Sequence, residues 1–392
     1  MAPAAKSHTV DQKSSEKAVI ASLMTQKSDP VLFEEDLVEM QMLCTTAGAE
    51  VVASIVQKRE RPEASTFLGA GKLEEIAALM KETGAQTLII DAELSPGQVR
   101  NIEELIAGKV IDRAQLILDI FARHAKSNEA KIQVELAQLN TLYPRLTRAW
   151  THFSQQAGGI GTRGPGEKQL EVDRRLVQTA IAELKRKLKK IDSSRTTQRK
   201  SRGDTFKIAL VGYTNAGKSS ILNGLSKAQA LVANKLFATL DTATRRVFVP
   251  EAGEVIVSDT VGFLRKLPHH LVASFKSTLE VVSDAHLLLI ILDASSPWIE
   301  QQLETVTTVL ASLDAGNIRR QLVLNKSDLA TDPFTRKKLA LAYPDALFVS
   351  ALNKEDMSTV KTKIAEIVRD FRTEQAKADI IAQQTNLLRH DD

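Results

Sequence analysis

The chain has 392 residues, of which 43% are hydrophobic and 26% charged, with a formal net charge of +4. At roughly 150 residues per domain this length suggests two or three domains, and the composition excludes a disordered, collagen-like or membrane-bundle chain. Leu287 to Leu292, the longest strongly apolar run, is far below the roughly 20 residues that span a bilayer, so no membrane span is expected.

Met1 to Pro30 is polar and lacks the apolar core of a signal peptide. A single cysteine, Cys44, excludes an internal disulfide and a cysteine-based metal cluster, and a reducing, cytoplasmic compartment is expected. The charge is concentrated: Ala182 to Arg202 holds nine basic residues against Glu183 and Asp192, a local +7 that leaves −3 for the rest. Such a stripe suits a polyanion partner. A solvated helix end followed by a linker accounts for the charge equally well. With aromatics at 4%, a base-stacking platform for single strands is disfavoured.

In chain order, residues 1–17 read as a disordered tail and 18–124 as a small α/β subdomain. Strand-like runs at Ala18 to Leu23, Val51 to Val56, Thr87 to Asp91 and Lys109 to Asp112 alternate with helical patterns at Phe33 to Ala47, Leu73 to Met80 and Ser95 to Ile106. That alternation implies a parallel sheet. Gly69-Ala70-Gly71-Lys72 looks like half a phosphate loop but has no correctly spaced upstream glycine and no following Ser or Thr. A turn capping the helix at Leu73 explains it better than a second nucleotide site.

Residues 125–192 read as a helical hairpin. Ile132, Leu136, Leu139 and Tyr143 keep helical spacing up to an interruption near Pro144, and Leu170, Val177, Ile181, Leu184, Leu188 and Ile191 form a heptad seam. Between them, Gly158 to Gly166 contains five of the chain's eighteen glycines. A plain connector between antiparallel helices needs no such composition, and a tip that reaches into a partner fits it better.

A polar, basic, serine-rich linker is expected at 193–205, then a second α/β unit at 206–372 and a polar tail at 373–392 with room for one more helix. The second unit shows strand-like runs at Lys207 to Val211, Arg246 to Val249, Glu254 to Ser258, His286 to Leu292, Gln321 to Leu324 and Ala346 to Val349. Its helical patterns fall at Ser219 to Leu225, Leu271 to Val282, Ile299 to Leu313 and Met357 to Phe371.

The chemistry is concentrated in that unit. Gly212-Tyr213-Thr214-Asn215-Ala216-Gly217-Lys218-Ser219 satisfies G-x-x-x-x-G-K-[ST] between a strand and a helix, the context that makes the pattern a phosphate site. Loop amides and the helix N-terminus suit phosphate. Lys218 is expected on the β and γ phosphates, Ser219 on Mg²⁺, and Ser220 beside them. Asp259-Thr260-Val261-Gly262 ends another strand, where Asp259 can reach Mg²⁺ through water and the Gly262 amide can sense the γ phosphate. In Asn325-Lys326-Ser327-Asp328 the Asp328 carboxylate accepts two hydrogen bonds that guanine N1 and N2 offer and adenine does not. Asn325 is expected to tie this loop to the phosphate loop, Lys326 to lie along the base, and Ser350-Ala351 to supply the backbone contact to guanine O6. The expected ligands are therefore GTP and GDP with Mg²⁺, Lys218 and Gly262 being the catalytic candidates. The histidines show no metal-ligand spacing.

Order and spelling are those of the translation-factor-like branch of P-loop GTPases. Together with Thr66-Phe67-Leu68-Gly69-Ala70-Gly71-Lys72 and the stretch Gly158 to Glu171, these motifs closely resemble the HflX family of ribosome-associated GTPases over roughly Ala18 to Arg372.

The resemblance implies an amino-terminal parallel α/β domain with a long helical hairpin, followed by a P-loop GTPase domain. It implies a large-ribosomal-subunit partner, with splitting or rescue of stalled or idle ribosomes, in a monomeric protein partly on ribosomes. In the family pattern Phe237-Ala238-Thr239-Leu240-Asp241 is switch I, which makes Thr239 the metal and γ-phosphate contact, with Thr242 and Thr244 as alternatives. Phe263 stands where many GTPases carry a water-orienting glutamine, and His269 and His270 lie close in sequence. Asn215 matches the asparagine that ligates K⁺ in potassium-stimulated relatives; stabilising the turn is its other reading. Gly158, Gly159, Gly161, Arg163, Gly164 and Gly166 become the candidate ribosome contacts. A non-ribosomal GTPase switch is the alternative, and an RNA-remodelling ATPase is weakened by the incomplete Gly69 to Lys72 element.

Overall fold

The computed structural model describes residues 16–148, 165–200, 205–226, 236–237, 240, 243–266, 268, 271 and 276–388, and the chain divides into two units. The first is built on β1 (Glu16–Met24), α1 (Pro30–Thr46), β2 (Ala49–Lys58), α2 (Ala70–Thr83), β3 (Thr87–Ile90), α3 (Pro96–Ile106) and β4 (Lys109–Asp112). Its strands form a wholly parallel sheet in the order β2-β1-β3-β4. The central strand buries Ala18 to Ala21 completely, the continuous apolar run that a parallel strand covered on both faces requires. Val19, Ala21, Leu88 and Ile90 share one core with Leu73, Ile76 and Met80 of α2 and Val99, Ile102 and Ile106 of α3.

Helix starts follow their capping residues. Asp29 accepts from the amides of Val31 and Leu32 ahead of α1, and Ser95 and Gln98 form a reciprocal capping box at α3, each with a proline in the first turn. Gly69 caps α2 through its backbone and its amide donates to Gln57 Oε1 at 3.0 Å, the helix-capping turn expected there. Beneath the sheet's carboxyl edge Arg113 is buried and pairs with Glu39 of α1 and, at 2.7 Å, with Asp91 after β3.

The helix α4 (Arg113–His124) leads to α5 (Asn128–Arg148) and α6 (Pro165–Lys200). Ile132, Leu136 and Leu139 of α5 pack on Ile181, Leu184, Leu188 and Ile191 of α6. Further along, Gln178 donates to the Tyr143 hydroxyl at 2.5 Å. The two helices therefore run antiparallel, with Ile181 to Ile191 of the heptad seam in their contact.

Several boundaries differ from expectation. β1 begins at Glu16, inside the stretch read as a tail, because Glu16 and Lys17 still have Ala49 and Glu50 to pair with; residues 1–15 lie outside the described ones. α5 runs past Pro144, carrying the lost hydrogen bond and the crowded carbonyl that an interior proline brings. α6 extends to Lys200, into the expected linker, and starts at Pro165, which places Gly166 in its first turn. Polar composition marks exposure, and between Lys185 and Lys200 there is no glycine or proline to stop a helix. Gly158, Gly159, Gly161, Arg163 and Gly164 lie outside the described residues.

The other sheet contains β5 (Lys207–Gly212), β6 (Thr244–Val249), β7 (Gly253–Asp259), β8 (Leu287–Asp293), β9 (Arg319–Asn325) and β10 (Leu347–Phe348). Their order is β10-β9-β8-β5-β7-β6, parallel except for β6. Two apolar cores cover its faces. One joins Ile208 and Leu210 to Ile221, Val360 and Ile364, the other Ala209 and Val211 to Val306 and Leu310. The last helix, Lys354–Leu388, is continuous through most of the expected polar tail, again with no glycine or proline inside it. Among the described residues, no helix is long and apolar enough to cross a membrane.

Candidate nucleotide site

The functional side chains sit at the carboxyl ends of β5, β7 and β9 and after β10, where open α/β sheets bind ligands. After β5 the chain turns sharply into α7 (Lys218–Ser226). Gly212 (φ +155°) and Gly217 (φ +91°) are obligatory there, because a Cβ on either would lie 2.1 Å from Ile291 O and Asn325 Nδ2 respectively. Asn215 also has left-handed backbone, φ +60°, a conformation asparagine tolerates better than most residues. The residue's backbone therefore serves the turn of the loop.

Lys218 is buried and its ammonium donates to Gly212 O at 3.1 Å and Tyr213 O at 2.8 Å. Burial lowers its pKa to about 8, opposed by the charge of Asp259. Ser219 Oγ donates to Asp259 Oδ2 at 2.5 Å. A hydroxyl and a carboxylate converging beside the phosphate loop form a hard-oxygen pair of the kind Mg²⁺ takes together with phosphate oxygens, so these two residues could hold it.

Asn325 is the hub of the base side. Its Nδ2 donates to Ala216 O at 2.8 Å, and its Oδ1 accepts from the Ala351 amide at 3.0 Å. Lys326 is paired with Asp293 at 2.7 Å, which holds its stem where a base could lie. The Ser350 amide donates to Asp356 Oδ2 at 2.7 Å. A cleft of about 490 Å³ opens beside these groups, with Asp328, Ser327, Ser350 and Asp356 among its walls. The exposed Asp328 is thus placed to meet a guanine edge. Asp293 and Asp356 escape notice in the sequence because each acts through a neighbouring loop and carries no motif of its own.

The segment after Asp259 is fastened onto the phosphate loop. Phe263 N donates to Gly212 O at 3.1 Å, Thr214 N to Phe263 O at 2.9 Å, and Arg265 N to the Tyr213 hydroxyl at 3.0 Å. Phe263 is 2% exposed and its ring belongs to the apolar core, so it offers nothing polar to an attacking water. Of the switch I residues, Phe237 is buried with its ring edge-on to Phe121 at 4.7 Å. Thr239, Thr242, His269 and His270 lie outside the described residues. Thr244, an alternative switch threonine, is in β6, and its hydroxyl is 2.9 Å from that of Ser258.

Residues 34–122 match the family model described as GTP-binding GTPase N-terminal, 124–202 the GTP-binding GTPase middle region, and 207–326 the 50S ribosome-binding GTPase. A GTPase HflX from Flavobacterium psychrophilum is 43% identical over 377 residues, covering 91% of each chain. The GTPase HflX of Escherichia coli is 47% identical over 320 residues, covering 81% of this chain and 74% of its own. This chain belongs to the HflX GTPase family. Among solved structures, a GTP-binding protein from Sulfolobus solfataricus in complex with GDP is 23% identical, with 90% of this chain and 99% of that one covered at a TM-score of 0.45. As an HflX family member the chain is a P-loop GTPase that binds guanine nucleotides and hydrolyses GTP.

Proposed function

We propose that this GTPase works on the large ribosomal subunit, and that its GTP-bound form splits or rescues stalled or idle ribosomes. The observation that carries the reading is the match of residues 207–326 to the 50S ribosome-binding GTPase model. A row of exposed cations on α6, Lys185, Arg186, Lys187, Lys189 and Lys190, supports it, because clustered cations bind RNA phosphates. The glycine-rich segment 158–166 would be the part that enters the RNA surface.

At the nucleotide, Lys218 neutralises the β and γ oxygens and the Gly262 amide reports the γ phosphate. Ser219 and Asp259, with Thr239 from switch I, would hold Mg²⁺, which when bound screens phosphate charge. Asp328 and the Ser350-Ala351 backbone read guanine. Because the Phe263 ring is withdrawn into the core, turnover in isolation should be slow and the ribosome should raise it. Asn215 could add K⁺ beside the phosphates; faster turnover in K⁺ than in Na⁺ is the expected result, and equal rates leave Asn215 with the turn alone.

Co-sedimentation with 50S subunits at two salt concentrations tests the partner. Binding that weakens steeply with salt is expected, and no binding with either GTP or GDP at low salt would favour a non-ribosomal switch. Splitting is read by light scattering of intact ribosomes with GTP. Replacing 158–166 by a short Gly-Ser turn should abolish the signal and spare nucleotide binding; splitting at the original rate would make that segment a connector.

A further inference from the structure

Thr214 occupies the second variable position of the phosphate loop, and the residue is 5% exposed. Its hydroxyl oxygen is buried without a hydrogen-bond partner among the described residues. Most buried hydroxyls are satisfied, so an unsatisfied one in a native site calls for a reason. Its neighbours supply one. A Cβ built on Gly262 would lie 2.7 Å from Thr214 Cα, 2.8 Å from Thr214 Cγ2 and 3.0 Å from Lys218 Nζ. Gly262 therefore packs against Thr214 on one side and lies close to the Lys218 ammonium on the other, and the lysine ammonium and the glycine amide are the two groups that P-loop chemistry directs at the γ-phosphoryl group. Its amide is already used, donating to Phe263 O at 2.9 Å, which fixes the backbone and leaves the hydroxyl as the free donor of that residue.

We propose that Thr214 is a catalytic residue of GTP hydrolysis: its hydroxyl donates a hydrogen bond to a γ-phosphoryl oxygen and strengthens that bond in the transition state. In the reaction the water oxygen bonds to the γ-phosphorus as the bond to the β-γ bridging oxygen breaks. The electron pair stays with GDP, and the water proton ends on the released phosphate. The threonine keeps its own proton throughout and contributes a fixed dipole, the kind of donor that acts where charge develops. It supplies in this site one of the polar contacts that the buried Phe263 ring cannot make. Thr214 differs from the lysine in having nothing to hold on GDP, since its partner is the departing phosphate.

The inference rests on GTPase chemistry and not on the ribosome reading, so the isolated full-length protein suffices. Single-turnover hydrolysis with enzyme in excess is measured for wild type, Thr214→Val and Thr214→Ser, beside GDP affinity from a fluorescent analogue. Valine keeps the shape and removes the hydroxyl; it should lower the hydrolysis rate by about 10²-fold, within the range seen for single oxyanion donors, while GDP affinity stays within about twofold. Serine should stay within about threefold of wild type in both. Hydrolysis by Thr214→Val near the wild-type rate overturns the proposal. So does a parallel loss of GDP affinity, which would make the hydroxyl a ground-state binder, and so does a serine variant as slow as valine, which would assign the effect to the methyl packed on Gly262.

Discussion

The backbone amide of Arg265 donates a 3.0 Å hydrogen bond to the hydroxyl of Tyr213, a side chain buried in the phosphate loop. It joins two backbone ties between these segments. Those two, between Phe263 and the backbone of Gly212 and Thr214, can form whatever the side chains are. The Tyr213 tie needs a phenol, and it extends the fastening two residues beyond Phe263.

Tyr213→Phe keeps the ring and deletes the oxygen that accepts from the Arg265 amide. A hydrogen bond of this kind contributes about 1 kcal/mol, or about fivefold in an opening equilibrium. Amide hydrogen exchange at Arg265 should accelerate by about that factor in the nucleotide-free protein, with exchange in β5 unchanged. If Arg265 exchanges at the original rate, the tie has no weight in holding the segment closed.

Asp328→Asn should replace an acceptor by a donor opposite guanine N1 and N2. GDP affinity is expected to fall by at least about 10²-fold, the order found when a site built for hydrogen bonds meets mismatched groups. Xanthosine diphosphate should bind better to the variant than to wild type. Calorimetric titration with both nucleotides decides it, and unchanged discrimination would remove Asp328 from base recognition.

Lys218 gives the site a pH dependence with a definite sign. In the free protein burial lowers its pKa from 10.5 to about 8, and phosphate oxygens must raise it in the complex. Below about pH 8 the ammonium is already formed and contributes no slope. Above it, binding takes up a proton, so GDP affinity should fall with rising pH by up to tenfold per unit until the bound-state pKa is reached. Titrations between pH 7 and 10 would show this, and Lys218→Ala, weak throughout, should lose the slope.

Arg113 stands between Glu39 and Asp91, and all three side chains are buried. Arg113→Met would leave two carboxylates without their cation. The expected loss is about 3–5 kcal/mol, read as a lower urea midpoint for the first unit. A wild-type midpoint would mean that the carboxylates are protonated or reach water without difficulty.

Much of this molecule is legible before folding because its chemistry is carried by residue identity. A lysine behind two glycines and a serine beside it, an aspartate ending an apolar strand, and an Asn-Lys-x-Asp loop can be read without coordinates; Asn325 then makes its expected tether to the phosphate loop, and a second one, to the Ala351 amide, that no motif announces. The contacts that stay hidden are those in which a side chain serves a distant backbone. Nothing near Tyr213 announces an amide 52 positions away, and Asp356 looks like an ordinary first-turn acid until Ser350 is seen on it. Helix ends fail for another reason. Around residues 193–200 and beyond Arg372 polarity suggests linker or tail, yet polarity reports water contact, and only a stop signal ends a helix. Helix Pro333–Ala342 did carry its own start signal, Asp332 followed by proline, with the carboxylate accepting from the amides of Phe334 and Thr335.

Asn325 also bears on how the protein acquires its site. Its two tethers reach 109 residues back to Ala216 and 26 residues forward to Ala351. Neither local collapse around the phosphate loop nor early formation of β5 and α7 can assemble that junction, since loop closures of this length are late events in folding. A chain released before residue 351 would own a complete phosphate motif and its tether to Asn325 and still lack the second tether, from Ala351, that braces Asn325 from the other side. Guanine nucleotide therefore selects the finished domain over its precursors, and by mass action it stabilises that domain in proportion to the logarithm of its concentration. In a cell, the guanine nucleotide pool would then support the folded state of this GTPase, while its GTP supplies the energy for turnover.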